Sequence, residues 1–384
     1  MSYQRRVAAA RVLRYNPAPV ASPERRAPSW RVREATPGDH AAVRAGMQVI
    51  LRETEGQKSA GFGRELWEWQ YLRPAHPSVI VVADDGGTFA GHLHAVLLDM
   101  RYAGRPVLGA MLNDGATQPA YRKQGVLRAM DDYMRERLAA RGVDLVLGIP
   151  NDRSLHGFTA HGAYRVVTRV PVYVRPLDFG RIIASRLPVG PLASLLGAVA
   201  GPVYHAVRVR RPASVQGIVE IDRFDDAIDL VSREFAAAVR LHLERSARYL
   251  NWRFVDKPTR EYTAWGVHRA GRPCAYAVTR RAPLFGVDCI ALMDFGCRTG
   301  EEDALLGLVA ARLDAERAAG AEACVVMGLH PFLGRLGQLG FVRIPDRWNP
   351  RRFHFMARGL TPNVGPDLLD PASWLVTLAD WDVL

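Results

Sequence analysis

The chain has 384 residues, of which 48% are apolar and 23% charged, and carries a formal net charge of +12. That composition excludes collagen-like, low-complexity and helical-bundle membrane proteins, and the length suits two domains that each bury a core. The excess of positive charge favours anionic partners such as a polyphosphate cofactor, although arginine is spread along the chain as on ordinary solvated faces.

Residues 1–30 hold Arg5, Arg6, Arg11, Arg14, Arg25 and Arg26 against one acid, Glu24, and are rich in proline. They are expected to form a disordered basic leader, without the continuous apolar core of a secretory signal. From Arg31 a strand, a turn at Pro37-Gly38-Asp39 and a helix follow. Val79–Ala83, the DDGG turn and Phe89–Leu98 then read as a hairpin. His92 and His94 alternate onto one strand face without further ligands in view, so no metal is expected. Trp67 and Trp69 read as core, with an aromatic wall for a sugar-like acceptor as the other reading.

The stretch Leu112–Gly142 carries the chemistry. Pro119 stops the strand, and Arg122, Lys123, Gln124 and Gly125 form a turn into a helix. Leu127, Met130, Met134 and Leu138 recur on one face of that helix, with Asp131, Arg135 and Glu136 placed on the other. Free N–H groups at a helix start, beside a glycine, make a cradle for phosphate. A nucleotide-binding fold with a basic turn is the rival reading, but G-x-G-x-x-G and an acidic ribose partner are missing. Asp144–Ile149 is a buried strand, and a short helix and a closing strand follow it.

The same plan recurs further on. Leu66–Pro77 resembles Tyr249–Pro258, the two hairpins match, and Asp114, Gly142 and Gly162 find Asp294, Gly320 and Gly340 at nearly constant separation. In the second copy the loop reads Thr299-Gly300-Glu301-Glu302-Asp303, which would repel a pyrophosphate. Between the copies, 182–211 is apolar but broken by Arg186, Pro188, Pro191 and Pro202. It reads as a helical linker packed along both domains, with peripheral membrane contact as the alternative. The end, PASWLVTLADWDVL, is a last strand or a docked tail. Four cysteines without C-x-x-C spacing fit a reducing, cytoplasmic setting.

The run Q-P-x-Y-R-K-Q-G-V-L-R-A-M resembles the coenzyme A loop of the GNAT acyltransferases, R/Q-x-x-G-x-G/A, through Arg122 and Gly125. Leu127 in place of the last small residue is similar to the Eis-type branch. Asn151, Ser154, Phe158 and Gly162 match a second GNAT pattern in register. The resemblance implies an α/β (α+β) chain of two tandem GNAT-like domains, each a mixed, mostly antiparallel sheet flanked by helices. Their expected limits are 31–175, catalytic, and 215–384, degenerate, joined by 176–214; twin domains also occur in the Eis-type and mycothiol-synthase-type proteins.

It further implies acetyl-CoA as acyl donor, with no metal. Pantetheine would lie along Asp114–Gln118, touching Ala116 and Thr117, and pyrophosphate at Arg122, Lys123, Gln124, Gly125, Val126, Leu127 and Arg128. Asn151, Ser154 and Phe158 would complete the cofactor side. Phe158 stands where many members carry an acidic tyrosine, so Tyr164, His156 or His161 would substitute, the thiolate would leave unaided, or acetylation would not occur. Asp114 is the candidate base, with a structural role as the alternative because Asp294 recurs. The expected activity is N-acetylation of a primary amine on a small or carbohydrate-like acceptor. A Fem-type aminoacyl transferase using charged tRNA and a non-catalytic acyl-CoA-binding protein are the rivals; a retained coenzyme A loop argues against nucleic acid as partner.

Overall fold

A computed structural model describes residues 29–55, 63–161, 164–186, 191–210, 212–258, 261–284, 286–349 and 352–381. The basic leader up to residue 28, Gly162 and the last three residues lie outside them. The first half runs β1 (Arg31–Glu34), α1 (His40–Glu55), α2 (Arg64–Leu72), β2 (Val79–Asp85), β3 (Thr88–Tyr102), β4 (Arg105–Thr117), α3 (Val126–Ala140), β5 (Leu145–Gly148), α4 (Asp152–His161), β6 (Arg165–Arg169) and β7 (Val172–Pro176). Helices α5 (Phe179–Arg186) and α6 (Pro191–Arg208) form the link. The second half runs β8 (Ile218–Glu220), α7 (Ile228–Ala236), β9 (Leu241–Leu243), α8 (Ala247–Leu250), β10 (Tyr262–Arg269), β11 (Arg272–Leu284), β12 (Val287–Cys297), α9 (Glu302–Ala318), β13 (Ala323–Met327), β14 (Val342–Arg343), β15 (His354–Gly359) and β16 (Trp374–Leu375).

Two sheets result, ordered β1-β2-β3-β4-β5-β15-β6 and β8-β10-β11-β12-β13-β7-β14. The order is the same twice over, as the internal repeat requires. Pairing is antiparallel except at β4–β5, β12–β13 and the small β9–β16 contact, so the mixed, mostly antiparallel α/β architecture read from the sequence holds.

The halves exchange a strand, which the sequence reading did not foresee. β7 leaves the first half to pair with β13 and β14, while β15 returns from the second half to lie between β5 and β6, Met356 facing Gly148 on one side and Val166 on the other. The expected limits 31–175 and 215–384 are therefore crossed in both directions. Val170-Pro171 between β6 and β7 supplies no residue for a tight primed turn, and Pro171 lacks an N–H, so the two strands do not fold back as a hairpin. Asp144 fastens the returning segment: its carboxylate accepts from the Leu108 N–H at 3.0 Å, Thr361 Oγ1 at 2.7 Å and Asn363 Nδ2 at 2.8 Å.

Between the sheets, one core draws on both halves, from Trp67, Met111 and Leu145 to Tyr276, Met293, Phe355 and Trp374. Separate cores lie under α3 and under α9. Where the repeats meet, Trp69 and Trp252 stack with centroids 4.8 Å apart and planes at 16°. Each indole N–H donates to the other residue's carbonyl, at 2.7 and 3.2 Å. That reciprocal contact is what a pseudo-twofold relation between copies produces.

Three local features bear on the expectations. Asp131, placed on the solvent face of α3 by periodicity, is 3% exposed and accepts the Tyr164 hydroxyl at 2.9 Å. The described residues of the link contact the second half, through Arg181 Nη1 to the Gly320 carbonyl at 2.9 Å and a Val209–Leu339 bridge. Its α6 also leaves Val199, Val203 and Val207 exposed. The carboxyl-terminal segment is both strand and tail: β16 pairs with β9, and Trp381 is buried beyond it.

Replacing Trp69 or Trp252 by alanine should each cost about 3–5 kcal/mol in urea unfolding. The double variant should lose clearly less than the two together, because each single change already breaks the shared stack. Strict additivity would show that the stack does not couple the halves.

Candidate active site

Opposite Leu93 of β3, two residues of β4, Asp114 and Gly115, occupy the room of one, since His92 pairs with Ala116 and His94 with Asn113. This bulge puts Asp114 at φ +44°, in the left-handed region. The β4–β5 ladder ends at Leu112–Gly148, just before the bulge. Beyond it β4 continues to Thr117, whereas β5 gives way to Ile149 and Pro150, and a proline cannot extend the ladder. The strands part, and a cleft of about 280 Å³ opens between them.

Leu93, Leu112, Ser154 and Phe158 line that cleft from the α3–α4 side, Met47 and His92 from the α1 side, and Met356 from the exchanged β15. The walls pack close against the strands: a Cβ at Gly115 would sit 2.8 Å from Leu93 Cδ1, and one at Gly148 2.6 Å from Met356 Cε, so either would push the side chain it meets. The cleft's apolar walls thus come from both halves of the chain.

At its α3 end the expected turn is exposed: Arg122, Lys123, Gln124 and Gly125 all face solvent. Lys123 and Gly125 have φ of +61° and +82°, so successive amides face outward above the first turn of α3, where helical geometry leaves N–H groups unpaired and the macrodipole is positive. Arg122 Nε donates to the Thr117 carbonyl at 3.2 Å, and Gln124 Nε2 to the Ala120 carbonyl at 2.8 Å, which shapes the turn. Leu127 reaches into the space that Gly157 of α4 leaves open. This explains how a bulky residue is tolerated where the resembled pattern has a small one. Val126 is buried, and Arg128 is exposed beside Asp132 at 3.7 Å.

The second copy fills its own turn. Glu302 Oε1 accepts from the Gly300 N–H at 3.3 Å and Glu234 Oε2 from the Thr299 N–H at 2.9 Å, while Asp303 pairs with Arg335 at 2.6 Å. Asp294, the counterpart of Asp114, is fully buried between Arg245, Thr377 and Tyr276.

Of the residues singled out in the sequence, Asp114, Ala116, Asn151, Ser154 and Phe158 line the cleft. Asn151 Oδ1 also accepts from the Ser154 N–H at 3.1 Å, which caps the start of α4. The Asp114 carboxylate accepts the hydroxyl of Tyr71. Thr117 and the turn residues adjoin the cleft without lining it. Tyr164 and His156 are not brought in. Tyr164 is 2% exposed and bound to Asp131, and burial with that carboxylate raises its pKa well above the usual phenol value. His156 is exposed on α4, and the side chain of His161 lies outside the described residues. Sequence reasoning missed His92 as a wall of the cleft; its alternation with His94 marked a shared face but not what lay across it.

Residues 31–161 match the family model described as an acetyltransferase (GNAT) domain. Among curated proteins, none matches. Solved structures with the same fold include a conserved protein of unknown function from Enterococcus faecalis, described as a probable N-acyltransferase, at 14% identity and TM-score 0.59, covering 86% of this chain and 72% of that one. They also include the Saccharomyces cerevisiae N-myristoyltransferase with bound myristoyl-CoA, at 12% identity and TM-score 0.58, covering 92% and 89%. A GCN5-related N-acetyltransferase from Anabaena variabilis matches at 10% identity and TM-score 0.58, covering 86% and 73%. The first half is thus an acyltransferase domain of the GNAT type.

Tyr164→Phe should cost about 1–3 kcal/mol of stability in chemical denaturation, because Asp131 loses a buried hydrogen bond, and should leave acetyl-CoA affinity unchanged by calorimetry. A selective loss of turnover without loss of stability would return Tyr164 to the catalytic set.

Proposed function

We propose that this chain, with its GNAT acetyltransferase domain at 31–161, transfers an acetyl group from acetyl-CoA to the primary amine of a small or carbohydrate-like acceptor. One observation supports the reading: β4 runs from the cleft where it parts from β5 straight into the exposed amide turn before α3. A ligand with a diphosphate at one end and a narrow arm ending in a thioester fits that pairing. Phosphate oxygens would meet the amides of 123–128 and the side chains of Arg122 and Lys123. The arm would run along the edge that β4 presents from Asp114 to Gln118, taking the place of the strand that is missing there, and the thioester would lie at the bulge. A main-chain N–H of the bulge then polarises the thioester carbonyl.

The acceptor would arrive from the side of the second half. Asn113 borders both the cleft and a small cavity under Trp69, Trp252 and Trp381. That cavity adjoins a larger one of about 570 Å³ between the halves, whose walls combine Trp69, Tyr249 and Trp252 with Asp99, Glu244 and Asp256. Arg73, Arg223 and Arg248 line it too, Arg223 pairing with Asp256 at 2.9 Å, and aromatic faces beside mixed charges suit a polar molecule of modest size. In this reading the second half closes the acceptor side and, with its own amides occupied, binds no donor. The four cysteines are buried and none forms a disulfide, which fits a cytoplasmic setting, and no helix among the described residues is long and apolar enough to cross a membrane.

Acetyl-CoA should bind the wild type in calorimetry, more weakly as salt rises, and Arg122→Glu should weaken it by about 1.4 kcal/mol or more, a tenfold change. Affinity untouched by the charge reversal would place the donor elsewhere. Thiol release in the presence of amino sugars, aminoglycosides, polyamines or peptides would then identify the acceptor.

A further inference from the structure

Moving an acetyl group from sulfur to nitrogen also moves a proton: the attacking amine must lose one and the departing thiolate must gain one. Phe158, which faces the cleft, has none to give, and Tyr164 is tied to Asp131 away from it. Resting on the acyltransferase reading, we infer that His92 performs both transfers, as base toward the amine and then as acid toward the coenzyme A sulfur, and that His94 is the positioning residue that fixes its tautomer.

The geometry is specific. His92 and His94 are 1% and 0% exposed and share the face of β3 that looks toward α1, α2 and the acceptor side. His92 Nδ1 and His94 Nε2 lie 3.3 Å apart. Their outer nitrogens, His92 Nε2 and His94 Nδ1, are buried without a hydrogen-bond partner among the described residues, and His92 is itself a wall of the cleft, beside Leu93, Asp114, Gly115 and Ala116. Two neutral imidazoles share one proton across such a bond. If it sits on His92 Nδ1, then His92 Nε2 carries a bare lone pair and His94 Nδ1 an N–H. The rings of Tyr71 and Trp67, with centroids 4.3 and 6.3 Å from that of His94, suit an N–H better than a lone pair. That arrangement leaves the acceptor atom at the cleft.

The step balances without another reactant. The amine nitrogen bonds to the thioester carbon, and His92 Nε2 takes the proton that nitrogen sheds. The tetrahedral intermediate then collapses, the C–S bond breaks, and the same proton passes from Nε2 to sulfur. Amide and free thiol leave, and the imidazole regains its starting tautomer. Burial pushes the pKa of His92 down to about 3, and burial with His92 and His40 nearby lowers that of His94 further below the usual imidazole value. The resting pair is therefore uncharged, with the lone pair on the outer nitrogen of His92 not blocked by a proton. Asp114, holding the hydroxyl of Tyr71 at the bulge, shapes the site from the side.

Nitrogen NMR of the histidine-labelled full chain, assigned with His92→Gln and His94→Gln, should show His92 protonated at Nδ1 and bare at Nε2 between about pH 6 and 8. An N–H at His92 Nε2, or a charged ring, overturns the proposal whether or not an acceptor is known. Calorimetry separates the two readings: a wild type that does not bind acetyl-CoA sinks the acyltransferase reading, whereas His92→Gln should bind it as the wild type does. Thiol release should fall about 100-fold or more in His92→Gln with methylamine, and far less with methoxyamine, a much weaker base whose nitrogen is already unprotonated at neutral pH. Equal losses with both amines would reduce His92 to a packing residue. If the wild type turns over neither amine, the tautomer measurement alone decides.

Discussion

The exchange of one strand between the halves is the constraint from which most of the molecule follows. Without β15, β5 and β6 would face each other across a gap wide enough for a strand, and the backbone groups on both inner edges would be left open. Inserting His354–Gly359 closes that gap, brings Met356 against Gly148 and completes the apolar lining of the cleft. The reciprocal move of β7 does the same for the second sheet. Two domains tied in this way cannot swing apart as linked domains ordinarily can, so any ligand reaching the cleft meets a preformed opening instead of one made by hinge motion.

Duplication with exchange leaves the two copies structurally alike and chemically opposite. Both carry a bulged strand beside a parallel neighbour, and both start a helix from an exposed turn. In the first copy the turn's amides face solvent and the bulge aspartate is itself only half-buried, holding the hydroxyl of the buried Tyr71. In the second, glutamates from the turn and from α7 fill the amides, and Asp294 is locked by a buried arginine. One turn is open to an anion from outside; the other has built its anions in. The strand geometry that makes room for a donor thus survives in a half whose electrostatics reject one.

Much of this was legible in the residues. Helix α3 was readable because Met130, Met134 and Leu138 keep the helical period, and the turn because glycine and basic residues at a helix start have few other uses. The repeat was visible through its paired tryptophans and glycines. Strand partners were not, since alternation marks a strand and its faces but not its neighbour; only Val170-Pro171, a junction with no turn chemistry, hinted that β6 and β7 part company. Asp131 escaped because periodicity assigns charge to solvent and cannot see a tyrosine arriving from beyond the closing motif. His92 and His94 were considered only as ligands, and what makes them chemically interesting, a shared proton and two idle nitrogens, exists only once the ring positions are known.

The crossed strands also fix an order of events during synthesis. β5 and β6 emerge from the ribosome well before β15 does, so the nascent first half must wait with an incomplete sheet until β15 has been made. Contacts that distant in sequence form slowly and leave unpaired edges exposed meanwhile. The first sheet is therefore completed only after β15 has emerged, and a chain cut before β15 leaves the facing edges of β5 and β6 unpaired.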